Sequence, residues 1–146
     1  NYPKWRGITR VPELMAAGIN VAFGQDCVMD PWYAFGSADM LEVAHMGSHL
    51  TLMTGADQIG ACFDAITVKP AKILHLEGYG LEPGCHAYMV MLQAADPLEA
   101  IRLRATRLAV IRRGEIVART APTVTELSVP GRPGNLELTH KADQSG

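Results

Sequence analysis

The sequence predicts an α/β fold followed by a small β unit. Three observations carry this. Residues 9–23 read helix, glycine, short apolar run, which is the αβ step of an α/β protein. Residues 38–66 show helical apolar spacing. After Gly80 the period shortens to that of strands, with Arg113-Gly114 placed between two apolar runs as a hairpin turn.

Taken in order, TRVPELMAA over 9–17 reads as a short helix, with Thr9 as N-cap, Pro12 and Glu13 in the first turn and Gly18 beyond the end. Ile19 to Phe23, closed by Gly24, reads as a buried strand. A long loop then runs from Gln25 to Gly36 and carries Pro31, Trp32, Tyr33 and Phe35. Loops that leave the C-terminal ends of such strands are where α/β proteins place their chemistry. Its aromatics could wall a pocket for a flat ligand or cap the core, and position alone does not choose.

Ser37 is the expected N-cap of a helix over 38–53 that is apolar on more than one face. Asp57 is the expected cap of a second helix, whose Ile59, Cys62, Phe63 and Ile66 form a one-sided stripe. Pro70 would open a third helix over 70–76. Beyond the Glu82-Pro83-Gly84 turn, His86 to Leu92 reads as a strand, and Asp96 to Arg104 is ambiguous, with a short helix as one reading. Leu108 to Arg112 and Glu115 to Thr120 form the hairpin, and 121–146 read as a loose tail with few large apolar residues. The division is therefore 1–76, 77–120 and 121–146.

The chain has 146 residues, with 13 Lys and Arg against 15 Asp and Glu, 48% hydrophobic and 19% charged. That composition is globular, and a net charge of −2 gives no strong pull on nucleic acid. No run reaches a membrane span and no segment has signal-peptide character. The three scattered cysteines, Cys27, Cys62 and Cys85, fit reduced thiols in a cytoplasmic protein. Because the chain opens at Asn1 rather than Met, a fragment or a processed chain is expected.

Asp26 is the sharpest candidate for chemistry. An acid at a strand's C-terminal end can bind a metal or act as a general base, and a turn aspartate fits the same spacing. Cys27 could line the same pocket or serve as a small buried hydrophobe. His45 and His49 share one helical face at i, i+4, which is half of a zinc pattern. Met46 stands where such a motif needs Glu, so packed helix histidines are expected instead. His75, His86 and His140 form no usable spacing, and Arg112 and Arg113 read as a solvated hairpin face.

The stretch Tyr2-Pro3-Lys4 through Gly7 to Val11, then Gly18 to Val21, then Gly24 to Tyr33 with its DPWY loop, resembles the C-terminal part of bacterial cytosine deaminases, members of the amidohydrolase superfamily. The likeness continues through Asp39-Met40-Leu41, the run His45 to His49, Tyr79-Gly80 and the hairpin Val110 to Val117, and covers about residues 2–120. It implies the C-terminal portion of a (β/α)8 TIM-like barrel, its last strand and closing helices, plus part of a small β-sandwich. On that reading Ile19 to Phe23 is the last barrel strand, 37–76 the closing helices and 81–120 the sandwich share.

The resemblance also implies metal-dependent hydrolytic deamination of cytosine, with one divalent ion, iron or zinc. Asp26 would be both metal ligand and catalytic proton carrier, and Trp32 would lie against the substrate. Close cytosine deaminases carry a second Asp where this chain has Cys27, so isoguanine or a triazine are alternative substrates. Many relatives also have an Asp at the place of Tyr88, a difference expected to be structural. The family's remaining metal ligands are not in this chain, so it would be inactive alone. A non-catalytic remnant or assembly module is the alternative from another class. The partner expected is a small amino-heterocycle, with no nucleic acid and no membrane, and the full-length form is expected to be a homo-oligomer.

Overall fold

The computed structural model describes residues 7–31 and 33–132. Among the described residues five helices and three strands follow in the order α1 (Val11–Ala16), α2 (Met40–Leu50), α3 (Ala56–Asp64), α4 (Val68–Ile73), β1 (Met89–Leu92), α5 (Pro97–Leu103), β2 (Arg107–Arg112) and β3 (Glu115–Arg119). Among the described residues no helix is long and apolar enough to cross a membrane.

The core lies where α2, α3 and α5 meet. Ala44, Cys62, Ala100, Ile101 and Ala105 are buried there, ringed by Leu41, Met53 and Val11. Small side chains at the centre let the three helix backbones approach closely. The stripe expected on α3 is the packed face: Cys62 is fully buried, and Ile59, Phe63 and Ile66 pack around it.

Local signals explain the helix ends, with corrections at the starts of four helices; α1 begins after Arg10, with no side-chain cap from Thr9. Helix α2 is capped by Asp39 rather than Ser37: the Asp39 side chain accepts from the Leu41 N–H at 2.9 Å. Ala38 takes a left-handed conformation (φ 58°), which stops the helix from extending back to Ser37. The Ser37 hydroxyl instead donates to the Glu42 carboxylate. Helix α3 is capped at Gly55, not Asp57; Gln58 reaches back to accept from the Gly55 N–H at 2.9 Å, while Asp57 sits in the first turn. Helix α4 starts at Val68, two residues before Pro70.

The ambiguous segment is a helix. Asp96 accepts from the Glu99 N–H at 2.8 Å, and Pro97 suits the first helical position. The end is a Schellman turn: Arg104 is left-handed, and the Ala105 N–H donates to the Ala100 carbonyl at 3.0 Å. Buried Glu99 accepts two bonds from the Arg102 guanidinium, at 2.9 and 2.7 Å.

The strand expected at Ile19 to Phe23 is absent. An apolar run becomes a strand only beside a hydrogen-bonded neighbour, and among the described residues none lies along it. Its bonds go to helical regions instead: Ile19 N–H to the Leu14 carbonyl, Phe23 N–H to the Ala65 carbonyl, and the Asn20 amide to the Lys69 carbonyl.

The sheet is an antiparallel meander in the order β1-β2-β3, with α5 as the connection from β1 to β2. Met89 pairs with Ile111 and Val90 with Val110, and on the other side Val110 pairs with Ala118. Strand β1 begins at Met89 rather than His86 because the preceding residues bond elsewhere: the His86 N–H donates to the Gly78 carbonyl at 2.7 Å. Past β3, Thr123 is held by the Gln93 side chain, which donates to its carbonyl and accepts from its N–H, each at 2.8 Å. Arg107 at the head of β2 forms an ion pair with Asp39 at 2.8 Å and so ties the sheet to α2.

Asp39→Ala removes both the cap and this ion pair and is expected to lower stability by about 1–2 kcal/mol. Asp39→Asn keeps the cap and should recover most of the loss; thermal unfolding of the two variants measures the difference.

His45 and His49 sit on α2 with their rings in edge-to-face contact at 4.7 Å; His45 is half-buried as expected of a packed helix histidine, whereas His49 is exposed. Burial first, then His49 and Arg104, hold the His45 imidazole below its ordinary 6.5. The unfolded chain therefore takes up the proton first. Stability is full above about pH 6.5 and falls as pH drops through the lowered folded value. Urea midpoints between pH 7.5 and 5 should show this decline, and His45→Gln should flatten it.

Candidate active site

The candidate site is the loop that follows the extended segment ending at Gly24. Gln25 turns inward, and its amide donates to the Cys27 carbonyl at 2.9 Å. Asp30 accepts from the Tyr33 N–H at 3.0 Å, a local turn that aspartate favours. The loop closes where Gly36 meets its start: a Cβ on Gly36 would lie 2.1 Å from the Cys27 carbonyl oxygen, so no side chain fits there. Phe23 is held in the same way against Gly47 of α2, where a Cβ would come within 2.8 Å of the ring.

This closure brings Asp26, Cys27 and Asp30 together. Asp26 is exposed, and the Cys27 thiol donates to its Oδ2 at 3.7 Å. The hydrogen bond that the thiol donates to Asp30, partial burial and the Asp26 charge, in that order, push the Cys27 thiol up to about 11. A thiol so flanked stays protonated near neutrality and acts as a weak donor, not a nucleophile. Trp32 lies outside the described residues. Phe35 is 80% exposed, so it does not cap the core; it makes an edge-to-face contact with Tyr33 at 5.9 Å.

Beside the loop lies an open cleft of about 370 Å³ between residues 21–25, Tyr33 and α2. Phe23, Val43, Met46 and Leu50 give it apolar walls, and Gln25 and Glu42 contribute polar groups. Gln25 Oε1 is buried and has no hydrogen-bond partner among the described residues. Neither Asp26 nor Cys27 lines this cleft. Gln25 and Gly36, which position the site, carried no chemical motif in the sequence; Gly36 was visible only as the loop's end.

Among the described residues no group of three or more His, Cys, Asp or Glu side chains is arranged to hold a metal ion, the Asp26, Cys27 and Asp30 cluster included. A catalytic ion takes about three protein ligands, so these residues do not make a metal site by themselves. His45 and His49, on α2, contribute no third donor.

The fold and loop define a class. The chain belongs to the amidohydrolase family, which matches it over residues 1–118. Among its relatives, an N-isopropylammelide isopropyl amidohydrolase of Pseudomonas sp. (strain ADP) is 37% identical over 75% of this chain and 27% of its own length. A pterin deaminase of Rhizobium rhizogenes is 30% identical over 86% of the chain and 28% of its own. The chain thus spans little more than a quarter of these proteins. A 5-methylcytosine deaminase from Klebsiella pneumoniae, liganded with phosphonocytosine, superposes with a TM-score of 0.78 and 39% identity, covering 85% of this chain and 30% of that one. An N-isopropylammelide isopropylaminohydrolase from Burkholderia multivorans superposes at 0.75 with 33% identity, covering 80% and 30%. The resemblance to cytosine deaminases noted in the sequence therefore holds in three dimensions.

Cys27 should resist alkylation at pH 8, and its rate should climb as pH rises toward 11. Asp30→Asn removes the largest cause of the shift and should speed the reaction at pH 8. Peptide mass spectrometry, which separates Cys27 from Cys85, measures both.

Proposed function

We propose that this chain is the portion of a hydrolytic deaminase of amino-heterocycles, of the cytosine type, that carries the aspartate and loop at the end of the last barrel strand. The observation that carries the reading is the superposition of most of the chain onto a 5-methylcytosine deaminase. On this reading 1–76 are the closing part of a (β/α)8 barrel and 77–120 a share of a β-sandwich. The segment 19–24 would gain its strand partners from barrel residues outside this chain.

Asp26 is proposed as the catalytic group. Its exposed carboxylate at the segment end suits proton uptake from an attacking water and return to a leaving amine. It would also supply one of the ligands of a divalent ion, iron or zinc. Trp32 would provide a flat wall for the heterocycle. Cys27 would border the substrate with a neutral, weakly donating group, where a carboxylate would instead attract a ring cation or N–H. That difference, with the likeness to N-isopropylammelide hydrolases, favours a second reading in which the preferred substrate is a triazine or isoguanine.

The exposed apolar residues, among them Leu52, Leu81 and Met29, each at least 80% accessible, support cover by further protein. Homo-oligomerisation of the full-length form is part of the proposal.

The test is kcat/KM of the full-length protein on cytosine, 5-methylcytosine, isoguanine and an N-alkylated triazine. Asp26→Asn should lower kcat by at least about a hundredfold and reduce bound metal in elemental analysis. An Asp26→Asn protein that keeps its activity would refute the assignment, and a clear preference for cytosine would remove the second reading.

A further inference from the structure

The hairpin tip carries a cluster that the proposed reaction does not use. Arg113 (φ 52°) and Gly114 (φ 81°) make the turn between β2 and β3. The Gly114 N–H donates to the Ala87 carbonyl at 3.1 Å, folding the turn back onto the chain that enters β1. Arg113 thereby meets Tyr88, and its Nε donates to the phenol oxygen at 2.9 Å. Arg112 lies close enough to act on the same oxygen, and the two guanidiniums, Arg113 first, hold the phenol below its ordinary 10.

The cluster is rich in donors. Tyr88 accepts from Arg113, so its own O–H is free to donate, and among the described residues nothing accepts it. None of the ion pairs among the described residues includes Arg112 or Arg113. Glu115 faces Arg112 across the hairpin in register, and it too forms no ion pair there. The support behind Tyr88 is rigid. The His86 ring packs edge-to-face on it at 6.1 Å, and Gly78 sits so close to His86 that a Cβ would come within 2.8 Å of the imidazole.

We propose that Tyr88, Arg112 and Arg113 form a binding site for a phosphate-type oxyanion. The phenol O–H and the free N–H groups of two guanidiniums are directed donors, and arginine forks match the oxygens of a tetrahedral oxyanion. The site is independent of the deaminase reading, since it shares no residue with the loop at Asp26.

The test is titration of the whole chain with inorganic phosphate at constant ionic strength set by chloride, following backbone amides by NMR. Saturable shifts are expected at Tyr88, Arg113 and Gly114, with a dissociation constant in the millimolar range. Arg113→Gln should weaken binding about fivefold. Glu115→Gln should tighten it, a gain that misfolding cannot mimic. Glycerol phosphate in place of phosphate separates the two sources: equal affinity assigns a free phosphate group on any small ester, and tighter phosphate binding assigns the free ion. Shifts that track chloride equally well, or an Arg113→Gln protein that binds as tightly as the parent, would overturn the proposal.

Discussion

The close approach of α5 to α2 and α3 is the constraint on which the rest of the chain depends. At its centre stand Ala44, Cys62 and Ala100, each almost wholly removed from solvent. Small side chains at a crossing leave no slack, so a larger group there would push the helices apart. Because α5 is also the link between β1 and β2, that crossing places the meander relative to the helices. The Arg107–Asp39 ion pair adds a second tether from the head of β2 to the first turn of α2. The loop bearing Asp26 enters α2 just before that turn. The position of the candidate site is therefore set partly by a strand some 80 residues further along the chain.

The loop itself is held by side-chain-to-backbone bonds and by one close backbone approach. Gly36 seals it against the Cys27 carbonyl, Gln25 braces the same oxygen, and Asp30 fixes the Tyr33 turn. The outcome is one exposed carboxylate, Asp26, with the Cys27 thiol lying between it and Asp30. On the proposed reading, that carboxylate is the group that exchanges protons with the bound substrate.

What could be read from the sequence divides along physical lines. The hairpin was legible because Arg113-Gly114 supplies the two left-handed residues that a tight turn needs. The α3 stripe was legible because its period is one-sided. Asp96-Pro97 carried a helix start, but the short span left it ambiguous. Three caps fall elsewhere than expected, at Arg10, Asp39 and Gly55 rather than Thr9, Ser37 and Asp57; for Ser37 the reason is the left-handed turn at Ala38, of which an alanine gives no sign. Ile19 to Phe23 forms no strand among the described residues, because an apolar composition reports the need for a neighbouring strand and not that neighbour's presence. For the site, Asp26 and Cys27 were visible by their place after a glycine. The grip of Gly36 and Gln25 was not, since it arises from the fold of the loop in space.

The bond pair between Gln93 and Thr123 has a mechanical meaning. The side-chain amide mimics one rung of a sheet, gripping both the N–H and the carbonyl of a residue 30 positions away. Thr106 adds a hydroxyl contact to the Thr123 hydroxyl at 3.2 Å. A pull on the chain beyond residue 123 therefore loads this rivet before it can peel β3 from β2. Both amide bonds must break together rather than one after another. The strand pair is shielded from unzipping at its open end, and tension is delivered to the root of β1 at Gln93, where the chain turns toward the helical core.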